Sequence, residues 1–202
     1  MPAIDHETLA GIELSQVPAG LFVLDALAKE AAVQILVASD IDPGHFLILF
    51  GGDLSSVESA LQRAMAEAGP ELCESLLLPQ AHPGLRAALD GEMQTFSAAQ
   101  SSDSSLGIVQ CHTVLGTLAA VDRALKIAET QLIRLRLASE LGGQGHAVLT
   151  GEQFDIEAAL DAAQTGAPTG VNIVTRRIAR PAAEVYVAAA QRRFGRLAAF
   201  EP

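Results

Sequence analysis

The side chains best able to bind a metal or to act as a nucleophile are two cysteines and two of the five histidines. Cys73 and Cys111 are too few and too far apart for a zinc or iron–sulfur motif, and each falls in a predicted strand. We interpret both as structural thiols. His45 and His146 each follow a glycine beside a predicted loop and are better metal candidates, although a hydrogen-bonding loop histidine is the simpler interpretation. The sequence therefore predicts no metal site and no cofactor.

Catalytic arrangements do not stand out in the sequence. Neither a Ser/His/Asp set nor a pair of neighbouring carboxylates is evident. The Gly-rich segment 142–145 lacks the Gly-x-Gly-x-x-Gly spacing and joins strand to strand, so it does not predict a phosphate site at a helix N-terminus. We therefore predict no catalytic residues and a protein that is not an enzyme.

Composition and charge restrict the possible classes of protein. The 202 residues have room for two domains of about 100 residues each, and 50% of them are apolar, which predicts a folded core. The net charge of −11 argues against a nucleic-acid partner. The N-terminal residues resemble no signal peptide, and no apolar run reaches the roughly 18 residues of a membrane span. We therefore expect a cytoplasmic protein without a membrane segment. The arginines near the C-terminus predict a solvated or intersubunit surface: Arg176, Arg177, Arg180, Arg192, Arg193 and Arg196.

An internal repeat determines the predicted organisation. Gly11-Ile12 matches Gly107-Ile108 at a shift of 96, and Gly20 matches Gly116 at the same shift. Lys29 matches Lys126 at 97, segment 57–61 matches 156–160 at 99, and Gly44-His45 matches Gly145-His146 at 101. One domain has therefore been duplicated. The predicted parts are a first domain at 1–90, a flexible linker at 91–104 and a second domain at 105–202.

Hydrophobic periodicity predicts the same order of elements in both copies. In the first copy we predict strands at 9–16, 33–39, 45–50 and 72–78, with helices at 20–31, 54–68 and 83–89. In the second we predict strands at 106–113, 132–138, 146–150 and 171–178, with helices at 115–128, at 152–164 and from Pro181. The predicted fold class is α+β, with two tandem, unpermuted, ferredoxin-like βαββαβ domains that each carry a trailing helix.

These motifs, in this order and present twice, resemble one known family. Segment 106–163 is similar to the opening strand, Gly-containing turn, Ala-rich helix ending near a Lys, and Gly-rich loop of bacterial microcompartment shell proteins. Ile178-Ala179-Arg180-Pro181 resembles the family's Ile-Pro-Arg-Pro signature, and segment 78–82 is a weaker form of it. The resemblance covers the chain apart from its first residues, the linker and the C-terminal tail.

The resemblance implies a tandem-domain shell subunit whose homotrimer imitates a six-cornered tile. Its implied partners are hexameric and pentameric shell proteins, encapsulated enzymes and small metabolites that pass through a central pore. The implied location is the shell of a microcompartment in the cytoplasm. Some tandem shell proteins bind an iron–sulfur cluster through a pore-loop cysteine, but neither loop here contains one, so that cofactor is not expected.

The resemblance also implies site residues. Lys29, Lys126 and Arg180 are expected at the tile edge. Asp40, Asp42 and Glu140 would make an acidic pore that discriminates against anions, although ordinary turn residues explain them equally well. The full set expected to line the pore is Ser39, Asp40, Ile41, Asp42, Pro43, Gly44, Ser139, Glu140, Leu141, Gly142, Gly143, Gln144 and Gly145.

Two other classes of protein share the predicted order of elements. A ligand-sensing regulatory trimer would show a basic or specific effector pocket, which the sequence does not indicate. A small enzyme on a dimeric ferredoxin-like barrel would need aromatic or catalytic side chains on the sheet face, and only 4% of the residues are aromatic.

Overall fold

A computed structural model describes residues 8–91, 104–138, 141–166, 168 and 170–190. The first copy contains β1 (Thr8–Leu14), α1 (Val17–Glu30), β2 (Gln34–Ile41), β3 (His45–Gly52), α2 (Leu54–Ala68), β4 (Leu72–Leu78) and α3 (Pro83–Leu89). The second contains β5 (Ser105–Cys111), α4 (Val114–Ile127), β6 (Gln131–Leu137), β7 (Gly145–Gly151), α5 (Gln153–Gly166), β8 (Ile173–Ile178) and α6 (Ala183–Ala190). Residues 92–103 of the predicted linker lie outside the described residues.

Each copy forms one four-stranded antiparallel sheet. The strand orders are β2-β3-β1-β4 and β6-β7-β5-β8. Both equal the ferredoxin-like order, and the two pairs of helices α1/α2 and α4/α5 each pack on one face of their own sheet. The predicted fold class, with unpermuted copies and trailing helices, is confirmed.

The faces of the sheets correct the alignment of the repeat. Ala10, Ile12 and Leu14 point into the core under α1 and α2, and the residues of β5 that face α4 and α5 are Gly107, Val109 and Cys111. Gly11 instead faces α4, because a Cβ on it would lie 2.5 Å from Leu115 Cδ2. The shift that preserves the faces is thus 97, not 96. A one-residue change of register moves every side chain of a strand to the other face.

A complementary pair of contacts supports this corrected alignment. Phe46 of β3 packs directly on Gly20 of α1, where a Cβ would collide with its ring. In the second copy the bulky residue is on the helix, since Thr117 of α4 occupies the space over Gly145 of β7. Gly20 therefore corresponds to Thr117 at a shift of 97, and Phe46 to Gly145 at 99. His45 then corresponds to Gln144, so the predicted match between His45 and His146 is wrong.

The two copies share one core. A separate cluster in the first copy lies between its sheet and α1 with α2. The larger cluster joins the interior of the second copy to the other face of the first sheet. Helix α4 lies between the two, and its Leu115, Leu118 and Val121 are fully buried. Since burying one leucine contributes about 1.5–3 kcal/mol, this helix fixes the first sheet against the second copy.

Candidate functional site

The predicted loop of the first copy is shorter in the structure than in the sequence analysis. Strand β2 continues to Ile41, so Ser39 and Asp40 pair with Leu47 and Phe46 of β3. Ile41 is buried in the shared core, which leaves its side chain unable to line an opening. The turn itself consists of Asp42, Pro43 and Gly44.

The loop of the second copy meets this turn. A Cβ on Gly143 would lie 2.8 Å from the backbone oxygen of Asp42, and Gly143 has a φ of +78°. Leu141 and Gly142 precede this contact, whereas Gln144 and Gly145 lead into β7. Ser139 and Glu140 lie outside the described residues. Within one chain, therefore, the structure brings together the described parts of the two loops predicted to line a pore.

A cleft of about 500 Å³ opens beside the meeting point of the loops and is lined by both copies. The first copy contributes four chemically active side chains, Glu13, His45, Cys73 and Glu74. Glu13 Oε1 lies 2.6 Å from His45 Nδ1, and Cys73 Sγ lies 4.0 Å from the same nitrogen. The second copy adds His112, whose Nδ1 accepts a hydrogen bond from the backbone N–H of Asn172 at 2.7 Å.

A β-bulge positions the cysteine. Glu13 pairs with Glu74, whereas Leu14 pairs with Leu72, so Cys73 is an extra residue in β4. Consecutive residues of a regular strand point to opposite faces, but a bulge re-aims the extra side chain. Cys73 consequently reaches the same cleft as Glu74, Glu13 and His45.

The cleft is rich in negative charge. Burial raises the pKa of the Cys73 thiol, and the nearby carboxylates of Glu13, Glu71 and Glu74 raise it further. Burial likewise raises the pKa of Glu74, against the opposing effect of a hydrogen bond with Thr113. Among the described residues, Glu13 Oε2 and Glu74 Oε2 are buried oxygens without a hydrogen-bond partner.

The corresponding place in the second copy has neutral side chains instead. At the corrected shifts, Gln110 corresponds to Glu13 and Gln144 to His45, and the two amides are hydrogen-bonded at 2.7 Å. Cys111 and Gln110 pair with consecutive residues of β8, Ile173 and Val174, so the bulged Cys73 has no counterpart in the second copy. Sequence analysis identified His45 but missed Glu13 and Glu74. The predicted order of strands places β1 between β3 and β4 and was the signal that could have joined them.

The predicted edge lysines lie at equivalent positions but in different surroundings. Lys126 Nζ forms an ion pair with Asp122 at 2.6 Å and donates to the Pro79 carbonyl of the first copy at 3.4 Å. Asp122 also accepts the backbone N–H of His82 at 2.7 Å. Within the described part of the chain, Lys29 pairs with Asp25 of its own helix at 2.6 Å, and its side chain is 74% exposed.

The signature positions that follow the last strand of each copy also correspond. Gln80 and Arg180 both have a positive φ, of 55° and 47°. None of the helices that the structure describes is long and apolar enough to cross a membrane.

Comparisons with known proteins agree with this architecture. The family model of the BMC domain matches twice, at residues 8–81 and 105–181. The bacterial microcompartment shell protein PduT of Citrobacter freundii is 32% identical over 171 residues, which cover 84% of this chain and 90% of PduT. Among solved structures, a microcompartment protein from Desulfitobacterium hafniense matches 89% of this chain and 98% of its own, with a TM-score of 0.76 and 22% identity.

A more distant structure is the fused permuted hexameric shell protein of the RMM microcompartment. It covers 78% of this chain and 80% of its own, with a TM-score of 0.56 and 17% identity. The two matches to the BMC domain coincide with the two copies found in the fold, and PduT is similar over most of both chains. The chain therefore belongs to the bacterial microcompartment shell protein family, in its tandem-domain form.

Proposed function

We propose that three chains form a closed ring of six domains, a structural and non-catalytic tile of the microcompartment shell with a pore at its centre. The observation that supports it best is the contrast between the two equivalent helices α1 and α4. Helix α4 packs one face on its own sheet and another on the first sheet of the same chain. Among the described residues, helix α1 packs mainly on its own sheet and on α2, and Leu21 is 55% exposed where α4 has the fully buried Leu118.

The exposure of Leu21 is explained if the contact between α4 and the first sheet is repeated between neighbouring chains. If α1 of one chain packs on the second sheet of the next chain as α4 packs on the first sheet, Leu21 becomes buried. Two domains per chain then alternate around a threefold axis, which is a heterologous and closed arrangement. Lys29 would meet the Ala179 carbonyl of the neighbouring chain, as Lys126 meets Pro79 within its own.

The last helix places a condition on this ring. Tyr186 of α6 is buried against Leu106, Ile133 and Val148, on the face of the second sheet that the neighbouring α1 would use. The two copies of one chain already meet in this way, and there the helix equivalent to α6 is α3. Helix α3 packs instead on α4 and β6 of the second copy. Docking of α1 therefore requires α6 to leave its own sheet for the position that α3 takes.

The pore follows from the same ring. The loops of the two copies meet within a chain, and three such pairs would surround the axis. Asp40, Asp42 and Glu140 would then bring nine carboxylates from three chains near one opening. Like charges that converge on a narrow passage focus the potential, so we propose a pore that passes neutral polar or cationic metabolites and resists anionic ones. Lys29, Lys126 and Arg180 would lie at the perimeter, where tiles meet hexameric and pentameric shell proteins around the enclosed enzymes.

Light scattering and negative-stain microscopy of the purified chain test the proposal together. Three chains of 21.0 kDa give a particle of about 63 kDa, or about twice that mass if two rings stack. Microscopy should show discs, sheets or tubes. A monomer at micromolar concentration would contradict the ring, and small discrete particles that never tile would favour a sensor or an enzyme.

A further inference from the structure

The geometry points to a binding site for a divalent metal ion of the Zn²⁺ type, with Glu13, His45 and Cys73 as its ligands. The site lies in the cleft between the two copies. It concerns a single chain and does not depend on the ring. It also departs from the expectation of no metal, which was drawn from the spacing of the two cysteines and from the interpretation of His45 as a hydrogen-bonding loop histidine.

The three ligand atoms already converge. One carboxylate oxygen of Glu13, one ring nitrogen of His45 and Cys73 Sγ all lie within 4.8 Å of one another. Around a tetrahedral Zn²⁺ the separation of N, O and S ligand atoms is about 3.3–3.6 Å. The Glu13–His45 pair at 2.6 Å must open slightly, and Cys73 at 4.0 Å must move slightly closer. Side-chain rotations suffice for changes of this size.

The same geometry argues against a catalytic triad. In a Cys/His/Glu triad the thiol and the carboxylate occupy opposite ring nitrogens, because the imidazole passes a proton between them. Here Glu13 and Cys73 both approach Nδ1 of His45. Groups that meet at one point are arranged to bind an ion.

The buried carboxylates supply a second, independent observation. Glu13 is only 7% exposed, and its Oε2 has no hydrogen-bond partner among the described residues. Glu74 is its direct neighbour on β4, and its Oε2 also lacks a partner there. Like charges directly opposite on adjacent strands are destabilising, and a buried oxygen without a hydrogen-bond partner is costly. A cation in the cleft would neutralise the pair, with Glu74 or a water molecule as fourth ligand.

The second copy gives the site an internal control. Gln110 and Gln144 keep the link between the two strands, but two neutral amides without a counterpart of the bulged Cys73 do not form a Zn²⁺ site. We therefore expect one ion per chain. Binding releases the thiol proton of Cys73 to solvent and requires His45 to carry its ring proton on Nε2, so that thiolate, imidazole Nδ1 and carboxylate all face the ion.

Titration of the purified full chain with Zn²⁺ alone, followed by calorimetry, tests the site. Wild type should bind one ion per chain, and Co²⁺ in its place should give the absorption bands of a tetrahedral thiolate complex. The triple variant Glu13→Gln, His45→Gln and Cys73→Ile installs the two glutamines of the second copy and replaces the bulged cysteine with an apolar side chain. It should bind at least about 100-fold more weakly and lose the cobalt–thiolate band.

Two controls keep the result interpretable. Cys111→Ala removes the other cysteine and should leave one ion per chain and the thiolate band. Circular dichroism and metal-free melting of each variant show that it is folded, and Cys73→Ile alone replaces the triple variant if that one is not. Wild type that binds no ion, or a folded variant that binds as wild type does, would overturn the proposal. Tiling by chains that bind no metal would overturn the site and leave the shell function intact.

Discussion

Leu21 and Leu118 occupy the same position on the first helix of their copies, yet Leu21 is 55% exposed and Leu118 is fully buried. The two positions therefore allow the stability of the single chain and the assembly of the ring to be tested separately. Leu118→Glu would bury a charge without a partner and should cost more than about 4 kcal/mol of unfolding free energy. Leu21→Glu should change the stability of the monomer by less than about 0.5 kcal/mol but abolish the ring. Urea unfolding and light scattering measure the two effects, and a trimeric Leu21→Glu variant would contradict the proposed interface.

The edge lysines test contacts between tiles. Lys29→Ala combined with Lys126→Ala should leave the ring intact, because the buried leucines of α4, and not the lysines, hold the two copies together. Loss of the ion pair between Lys126 and the buried Asp122 should nevertheless lower the free energy of unfolding of the chain. Sheets seen by negative-stain microscopy should disappear, since each tile loses the cations at its perimeter. Arg63→Ala, on α2, changes another exposed cation that is paired within its own helix and serves as control. Unchanged sheets in the double variant would refute the edge assignment.

The acidic loops test the selectivity of the pore. Replacement of Asp40, Asp42 and Glu140 with Asn or Gln removes nine carboxylates from a ring of three chains. Conductance across a planar bilayer should change from cation-selective to weakly selective, because the focused negative potential is lost. Glu58→Gln, on α2, removes a carboxylate away from the loops. Anion selectivity in wild type, or no change in the triple variant, would remove the acidic-pore hypothesis.

The contact between the two loops predicts a stability difference between neighbouring glycines. Gly142 has a φ of +60° and open space where a Cβ would lie, so Gly142→Ala should cost about 1 kcal/mol of backbone strain. Gly143 has a φ of +78° and also faces the Asp42 carbonyl, so Gly143→Ala should cost about 2–4 kcal/mol. Denaturant unfolding measures both. Equal costs would mean that the loops do not touch.

His146 predicts a loss of stability on mild acidification. Burial, followed by the charges of Arg134 and Arg136, lowers the pKa of His146 below its usual value. The unfolded chain therefore binds more protons than the folded one between the lowered pKa and about 6.5. The contribution of His146 to the free energy of unfolding is therefore fully present above about pH 6.5. It decreases as the pH falls towards the folded-state pKa.

The matched variant is His146→Leu, since Leu47 occupies the corresponding position of the first copy. Between about pH 7.5 and 5.5 wild type should lose more free energy of unfolding than this variant. The other histidines are present in both proteins, so their contributions to the pH dependence cancel in the comparison. Parallel pH profiles would show that His146 is not responsible.

The order of elements was predictable because it depends on local periodicity. Every predicted strand and helix is present, α2, β4 and α3 with the predicted ends and the others with shifted ends. The register of the repeat was not, since Gly11 and Gly107 are identical residues on opposite faces of their sheets. Sequence identity alone does not show on which face of a sheet a residue lies. The cleft was also not predictable from the sequence, because local patterns do not show which residues of different strands meet. Glu13, His45 and Cys73 come from three strands, and a bulge that no local pattern predicts turns Cys73 towards the other two.

In the first copy the large strand residue Phe46 packs on the helix glycine Gly20, whereas in the second copy the helix residue Thr117 packs on the strand glycine Gly145. This exchange of large and small residues limits how the gene for this protein can change. Recombination between the two halves of a duplicated gene produces hybrid copies. A hybrid that joins α4 to β3 would force Thr117 into the ring of Phe46, whereas one that joins α1 to β7 would leave a void between two glycines. Both hybrids should therefore be less stable than the chain itself, the first through overpacking and the second through a cavity.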